Sequence, residues 1–256
     1  MNRRIFLTLI VLLPSLSSGS IYFDGNDQLN CSKGPTLDKY FTLSAQIKII
    51  TGDFPDPQVV ISRGTDALAG PVYEMRIAQD PDAGSGHTVY CEFTDEGGTL
   101  NTIYADCATT GDCMQPGEPY HIGCVLDQRG DLTPWINGVA YNTLATGGAT
   151  AQEDSNVYLA MDHYGSNPAT EIEVSDATIW FTDLNTNQMQ SLGLSYMRSS
   201  IIDSTFLAGR WPLDDLENNT NVGTTPMTDR SGGGNPCTAA SSTEGGTLYA
   251  DWVRYK

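Results

Sequence analysis

Basic residues are scarce in this chain: 13 Lys and Arg stand against 31 Asp and Glu in 256 residues, a formal net charge of −18. So acidic a surface repels phosphate backbones and anionic lipid, which excludes nucleic acid as a partner. Histidine is rarer still. His87, His121 and His163 stand far apart and no Cys-x-x-Cys occurs, so no zinc-ligand spacing is present. The apolar run at 5–13 falls well short of the roughly 20 residues that a membrane helix needs, which excludes stable insertion through it. A Gly-x-Ser-x-Gly elbow is missing, so the common serine-hydrolase arrangement is excluded. Helical periodicity is nearly absent, which leaves strands as the main building material.

Residues 1–20 have the form of an export signal: Arg3 and Arg4, an apolar run at 5–13, then Pro14 and a Ser-rich end that suits a cut before Ile21. Asn2-Arg3-Arg4-Ile5-Phe6-Leu7 also looks like the twin-arginine variant, although the strength of the apolar run favours the ordinary one. The reading is therefore a secreted, extracellular protein, with the periplasm or a virion surface as further locations.

Period-two alternation of apolar and polar residues marks strands at 20–23, 41–49, 58–63, 73–78, 88–94, 100–106, 120–127, 132–136, 157–161 and 171–181. Turn signals separate them, among them Asp24-Gly25, Arg129-Gly130-Asp131 and Asn137-Gly138. That pattern predicts an all-β, two-sheet antiparallel sandwich as one domain. From Leu184 to Met197 the spacing changes: Met189, Leu192, Tyr196 and Met197 recur at three- and four-residue steps behind a capping Asn185 or Thr186. This predicts one short helix across an end of the sandwich, with Gly193 working against it. Beyond it, residues 218–246 are dominated by Asn, Thr, Gly, Ser and Pro and cannot bury a core of their own. The segment 198–256 is thus a loop-rich extension packed on a body at 21–197, anchored by the stretches around Trp211 and Trp252.

Six cysteines on an exported chain predict three disulfides. Fifteen pairings exist on paper. The favoured set joins Cys107 to Cys113 across a polar turn, Cys91 to Cys124 between strands, and Cys31 to Cys237 as a clamp on the extension. On the chain-entropy model the last contributes on the order of 4 to 5 kcal/mol.

Particular strings resemble laminin G-like and pentraxin-like domains of the concanavalin A-like jelly-roll class. Tyr22-Phe23-Asp24-Gly25-Asn26-Asp27-Gln28-Leu29 is similar to their first strand and turn, and Phe41-Thr42-Leu43-Ser44-Ala45-Gln46-Ile47 to their second. Tyr120-His121-Ile122, Trp135-Ile136-Asn137-Gly138 and Ala177-Thr178-Ile179-Trp180-Phe181 follow in the family's order. The extension, with Arg210-Trp211-Pro212-Leu213 and Asp229-Arg230-Ser231-Gly232-Gly233-Gly234-Asn235, resembles that of phage and environmental bacterial members. The resemblance implies a lectin-like jelly roll and, as a cofactor, calcium at the rim, for which Asp24, Asn26 and Asp27 are the candidate ligands. An acidic and amide-rich group at 152–156 is a second candidate. Asx side chains bonding their own backbone explain the first string equally as turn chemistry, and that reading leads.

Glycan-cleaving enzymes of this class place carboxylates at period-two spacing on one strand. Glu171-Ile172-Glu173-Val174-Ser175-Asp176 imitates the spacing with the wrong acids, so no catalytic residue is assigned. The functional expectation is a non-enzymatic recognition module for a glycan or an extracellular protein surface. Its rivals are a structural component of a virion, surface layer or filament, which would self-assemble, and then an enzyme of the same fold.

Overall fold

The computed structural model describes residues 20–24, 27–35, 37, 39–50, 57–64, 70–82, 86–147, 150, 155–162, 170–195, 202, 204–213, 226–241 and 249–251. Strands β1 (Ser20–Asp24), β2 (Asp27–Lys33), β3 (Phe41–Ile49), β4 (Gln58–Arg63), β5 (Tyr73–Gln79), β6 (His87–Thr94) and β7 (Leu100–Tyr104) come first. After one turn of helix, α1 (Cys107–Thr110), follow β8 (Pro119–Leu126), β9 (Asp131–Ile136), β10 (Val139–Ala140), β11 (Leu144–Ala145), β12 (Asn156–Leu159) and β13 (Thr170–Trp180). Helix α2 (Thr186–Ser195) then precedes β14 (Leu207–Trp211), β15 (Cys237–Ser241) and β16 (Tyr249–Asp251).

These strands form two antiparallel sheets. The first runs β10-β9-β8-β3-β13-β1-β16, with β11 also on β9 and β14 also on β13, and the second runs β15-β2-β12-β4-β5-β6-β7. Alternation builds the layer between them. In β3, Leu43, Ala45 and Ile47 enter the core, as Ile122, Cys124 and Leu126 do in β8 and Val89, Cys91 and Phe93 in β6. Phe41 packs on Tyr73 at 5.8 Å and edge-on to Phe93 at 6.2 Å. Each such buried side chain contributes about 1.5 to 3 kcal/mol by leaving water. The Cys91–Cys124 disulfide passes through this layer from β6 in one sheet to β8 in the other. Cys31 and Cys237 face one another in the β2–β15 ladder and are bridged, and Cys107–Cys113 closes a local loop.

The C-terminal segment supplies strands to both sheets. Along one edge of β13, β1 pairs with residues 170–174 and β14 with 177–180. A bulge separates the two stretches, with Asp176 at a φ of 44°. There Arg210 Nε donates to Asp176 Oδ1 at 3.0 Å, both side chains being buried. Asp229 accepts the backbone N–H groups of Arg210, Ser231 and Asn235 at 2.9–3.0 Å, and the fully buried Trp211 donates its indole N–H to the Asn235 carbonyl at 2.8 Å. The Gly-rich string after Asp229 is therefore a turn wound around one carboxylate.

Helix α2 does not lie across an end of the sandwich. It packs on the outer face of the first sheet, where Leu184, Met189 and Leu192 meet Val125, Trp135 and Trp180 in a second, smaller apolar cluster. Its start is a capping box: Asn185 Oδ1 accepts the Gln188 N–H at 3.1 Å while Gln188 Oε1 accepts the Asn185 N–H at 2.9 Å. Tyr196 and Met197 fall outside the described residues. Thr42 Oγ1 fixes the approach, accepting the Leu184 N–H and donating to the Thr182 carbonyl, both at 2.9 Å. Gly193 lets the helix settle: a Cβ there would stand 2.1 Å from Gly138 N and 2.2 Å from the Asn137 carbonyl carbon.

The same outer face carries a buried His121, whose ring nitrogens bond to none of the described residues. Its backbone is held by Asn137, which accepts the His121 N–H on its side-chain oxygen at 2.9 Å and donates its own N–H to the His121 carbonyl at 2.8 Å. Burial pushes the imidazole down from 6.5 to about 4.

Two outcomes are expected. In most helices Gly→Ala stabilises by about 1 kcal/mol. Gly193→Ala instead forces α2 off the β9–β10 turn and lowers stability by about 1 to 3 kcal/mol, read from the denaturant midpoint; a rise would disprove the close packing. For His121 the unfolded chain binds a proton below 6.5 that the folded one refuses until about 4. Stability is therefore intact above pH 6.5 and falls by about 3 kcal/mol as the pH drops to 4. Comparing urea melts of wild type and His121→Leu over this window checks it, the variant lacking that share of the slope.

Candidate functional site

The candidate residues of the acid string are each held by a partner. The Tyr22 hydroxyl donates to Glu171 at 3.0 Å, Lys48 lies 3.9 Å from Glu173, and Arg210 holds Asp176. Asp176 lies three residues beyond Glu173, at the bulge, so the three acids do not share one regular period-two run. Of the candidate calcium ligands, Asp24 ends β1 and Asp27 begins β2, but their side chains and the whole of Asn26 lie outside the described residues. So do residues 152–154. Among the described residues one group with metal-ligand atoms comes together, Asp80 with Cys107 and Cys113. Both sulfurs are spent in the disulfide, and the Asp80 carboxylate accepts the N–H groups of Asp82 at 2.8 Å and Cys107 at 3.3 Å. It serves the loop.

Two outer surfaces carry chemistry. On the second sheet, the guanidinium of Arg76 lies 4.8 Å from the Tyr90 ring, which stacks on Tyr104 at 5.2 Å. Arg76 also pairs with Glu92 and stands 3.7 Å from Glu74, and the Tyr104 hydroxyl donates to Asp82 at 3.1 Å. The rings and charges of this patch are spent on one another.

The other surface is a cleft of about 470 Å³ on the first sheet, between the β8–β9 turn, β10 and the first turn of α2. That volume lies in the range of small-molecule sites. Val125, Trp135 and Leu184 are its apolar side, and Val139, 53 % exposed, is its rim. The indole N–H of Trp135 has no partner among the described residues. Asp127 opens the turn, accepting the N–H groups of Arg129 at 2.8 Å and Asp131 at 3.0 Å. Its burial alone would raise the carboxyl, but those two N–H groups and the Arg129 guanidinium outweigh it and hold the group below the usual carboxylate value. Arg129, 79 % exposed, forks between Asp127 at 2.8 Å and Asp131 at 3.0 Å through Nη2. Asp183, Asn185 and Gln190 face it from the helix side. Gln128 donates to one Asp183 oxygen at 3.3 Å, and Asn185 uses its oxygen in the capping box. Among the described residues nothing engages the Asn185 amide nitrogen, the Gln190 side chain or Arg129 Nη1.

The cleft was not legible as a site in the sequence. Its two halves are the 127–131 turn and the 183–190 helix start, more than fifty residues apart, and each reads alone as ordinary turn and cap chemistry. The one local signal was the Asp-x-Arg-Gly-Asp turn, which concentrates charge at a strand end.

No protein-family model matches the chain, and no curated protein matches it. Solved structures do. A Bacteroides ovatus protein provisionally named as carbohydrate binding is 17 % identical and superposes with a TM-score of 0.60 over 93 % of this chain and 61 % of its own, so the chain spans about three fifths of that protein. A heptameric SAP-like pentraxin from Limulus polyphemus is 16 % identical, with a TM-score of 0.55 over 69 % of this chain and 82 % of its own. The binding domain of Paraclostridial mosquitocidal protein 1 is 15 % identical, with a TM-score of 0.50 over 70 % and 46 %. What the chain shares with them is the fold, a two-sheet, lectin-type jelly-roll sandwich.

Proposed function

We propose that this chain is an exported, non-enzymatic recognition module that binds carbohydrate in the cleft beside α2. The observation that carries the reading is the composition of that cleft: an apolar wall of exposed Val139 over the nearly buried Val125, Trp135 and Leu184 faces hydrogen-bonding groups of both kinds that the fold leaves unused. A sugar ring presents the complement, with a C–H face for the apolar wall and hydroxyls that both donate and accept. The names of the fold neighbours support it, one as carbohydrate binding and another as a binding domain. The three disulfides and the absence, among the described residues, of a helix able to cross a membrane fit an extracellular setting. The acids that imitate a glucanase string are paired with Tyr22, Lys48 and Arg210, which supports binding without cleavage.

A glycan array followed by calorimetry on the bound sugars tests the reading. Gln190→Ala and Arg129→Ala should each weaken binding about tenfold, the loss of one or two hydrogen bonds. Tyr104→Ala, on the opposite face, should leave affinity within about twofold. Absence of binding to any glycan, or loss of binding in Tyr104→Ala with the cleft variants intact, would overturn the assignment.

A further inference from the structure

From the charges around the cleft we infer that it selects uncharged sugars and rejects sialylated, uronic-acid and sulfated ones. This rests on the reading of the cleft as a sugar site and narrows its ligand class. Two carboxylates line it, Asp127 and Asp183, and a third, Asp131, stands 3.0 Å from its one guanidinium, Arg129. Arg129 is the obvious anion receptor, yet its charge is held between Asp127 at 2.8 Å and Asp131 at 3.0 Å, so an incoming anion meets a trio already carrying one excess negative charge. Asp183, opposite, adds another, and the chain as a whole stands at −18.

The competing attraction is the start of α2. A helix N-terminus carries about half a positive elementary charge on its open N–H groups, less than any one of the carboxylates around it. The cap reduces it further, since Asn185 Oδ1 takes the Gln188 N–H, while Asp183 stands just before the first turn. Arg129 Nη1 and the Asn185 amide nitrogen can still donate, and the Asp183 carboxylate and Gln190 Oε1 can accept. An anionic group has only acceptors and would leave the Asp183 carboxylate facing like charge. A hydroxyl satisfies both sides.

The test pairs each neutral array hit with its sialylated, sulfated or uronate counterpart on the same core, lactose with 3′-sialyllactose and 3′-sulfolactose among them, measured by calorimetry on the whole chain. Neutral members should bind at least about tenfold more tightly. High salt should shrink the gap while leaving neutral binding unchanged. Asp183→Asn should also narrow it, and a circular-dichroism melt matching wild type shows that the fold is intact. Equal or tighter binding of the anionic members overturns the selectivity and leaves the sugar site standing. Failure to bind any glycan overturns the reading of the cleft itself, and the selectivity with it.

Discussion

A buried ion pair at an irregularity in β13, between Arg210 and Asp176, keys the C-terminal segment into the sandwich. Strand β13 serves two neighbours along a single edge, β1 first and β14 after it, and the bulge at Asp176 lets the register change between them. A carboxylate left there in a dry layer would cost several kcal/mol, and Arg210 answers it from β14. Removing either partner strands a buried charge, at about 3 to 5 kcal/mol. The pair therefore works as a registration pin. With β14 docked, Trp211 enters the core, Asp229 can wind its turn, and β15 reaches β2.

The same strand decides where the helix goes. Trp180 ends β13 on the outer face, its indole N–H donating to Thr178 at 3.1 Å, and Thr42 catches the chain as it turns back. The helix must then cover Trp180, Val125 and Trp135, and it leaves the first fully buried and the other two 6 % exposed at its margin. The uncovered margin, where a polar turn meets a capped helix start, is the cleft. The proposed recognition site thus lies at the boundary of a packing layer, where apolar and polar groups stand side by side.

The strands with strong alternation, such as 41–49 and 73–78, were readable because a buried sandwich demands period two. Those that pair at margins were not. Strand β2 offers only Leu29 and Cys31 to the core, and β14 contains Gly209 and Arg210, so their partners rather than their patterns make them strands. Helix α2 was legible from Met189 and Leu192, but Gly193 pointed the wrong way: what helix propensity counts as a defect is the clearance that seats the helix on Asn137 and Gly138. The acid string at 171–176 was legible as acids at short spacing, but its partners Tyr22, Lys48 and Arg210 come from other strands and left no trace in the string itself.

The bridge between Cys31 and Cys237 spans 206 positions of sequence and joins an edge strand to its neighbour. In topological terms the chain between them is a closed ring. A single cut by a protease at any loop inside it, including those around the cleft, yields two pieces that stay covalently joined. Tension applied along β15 from the far end of the chain is carried to β2 by a covalent bond instead of by the ladder's hydrogen bonds, which would otherwise open one at a time. Nicking and pulling are thus both met by the same cross-link.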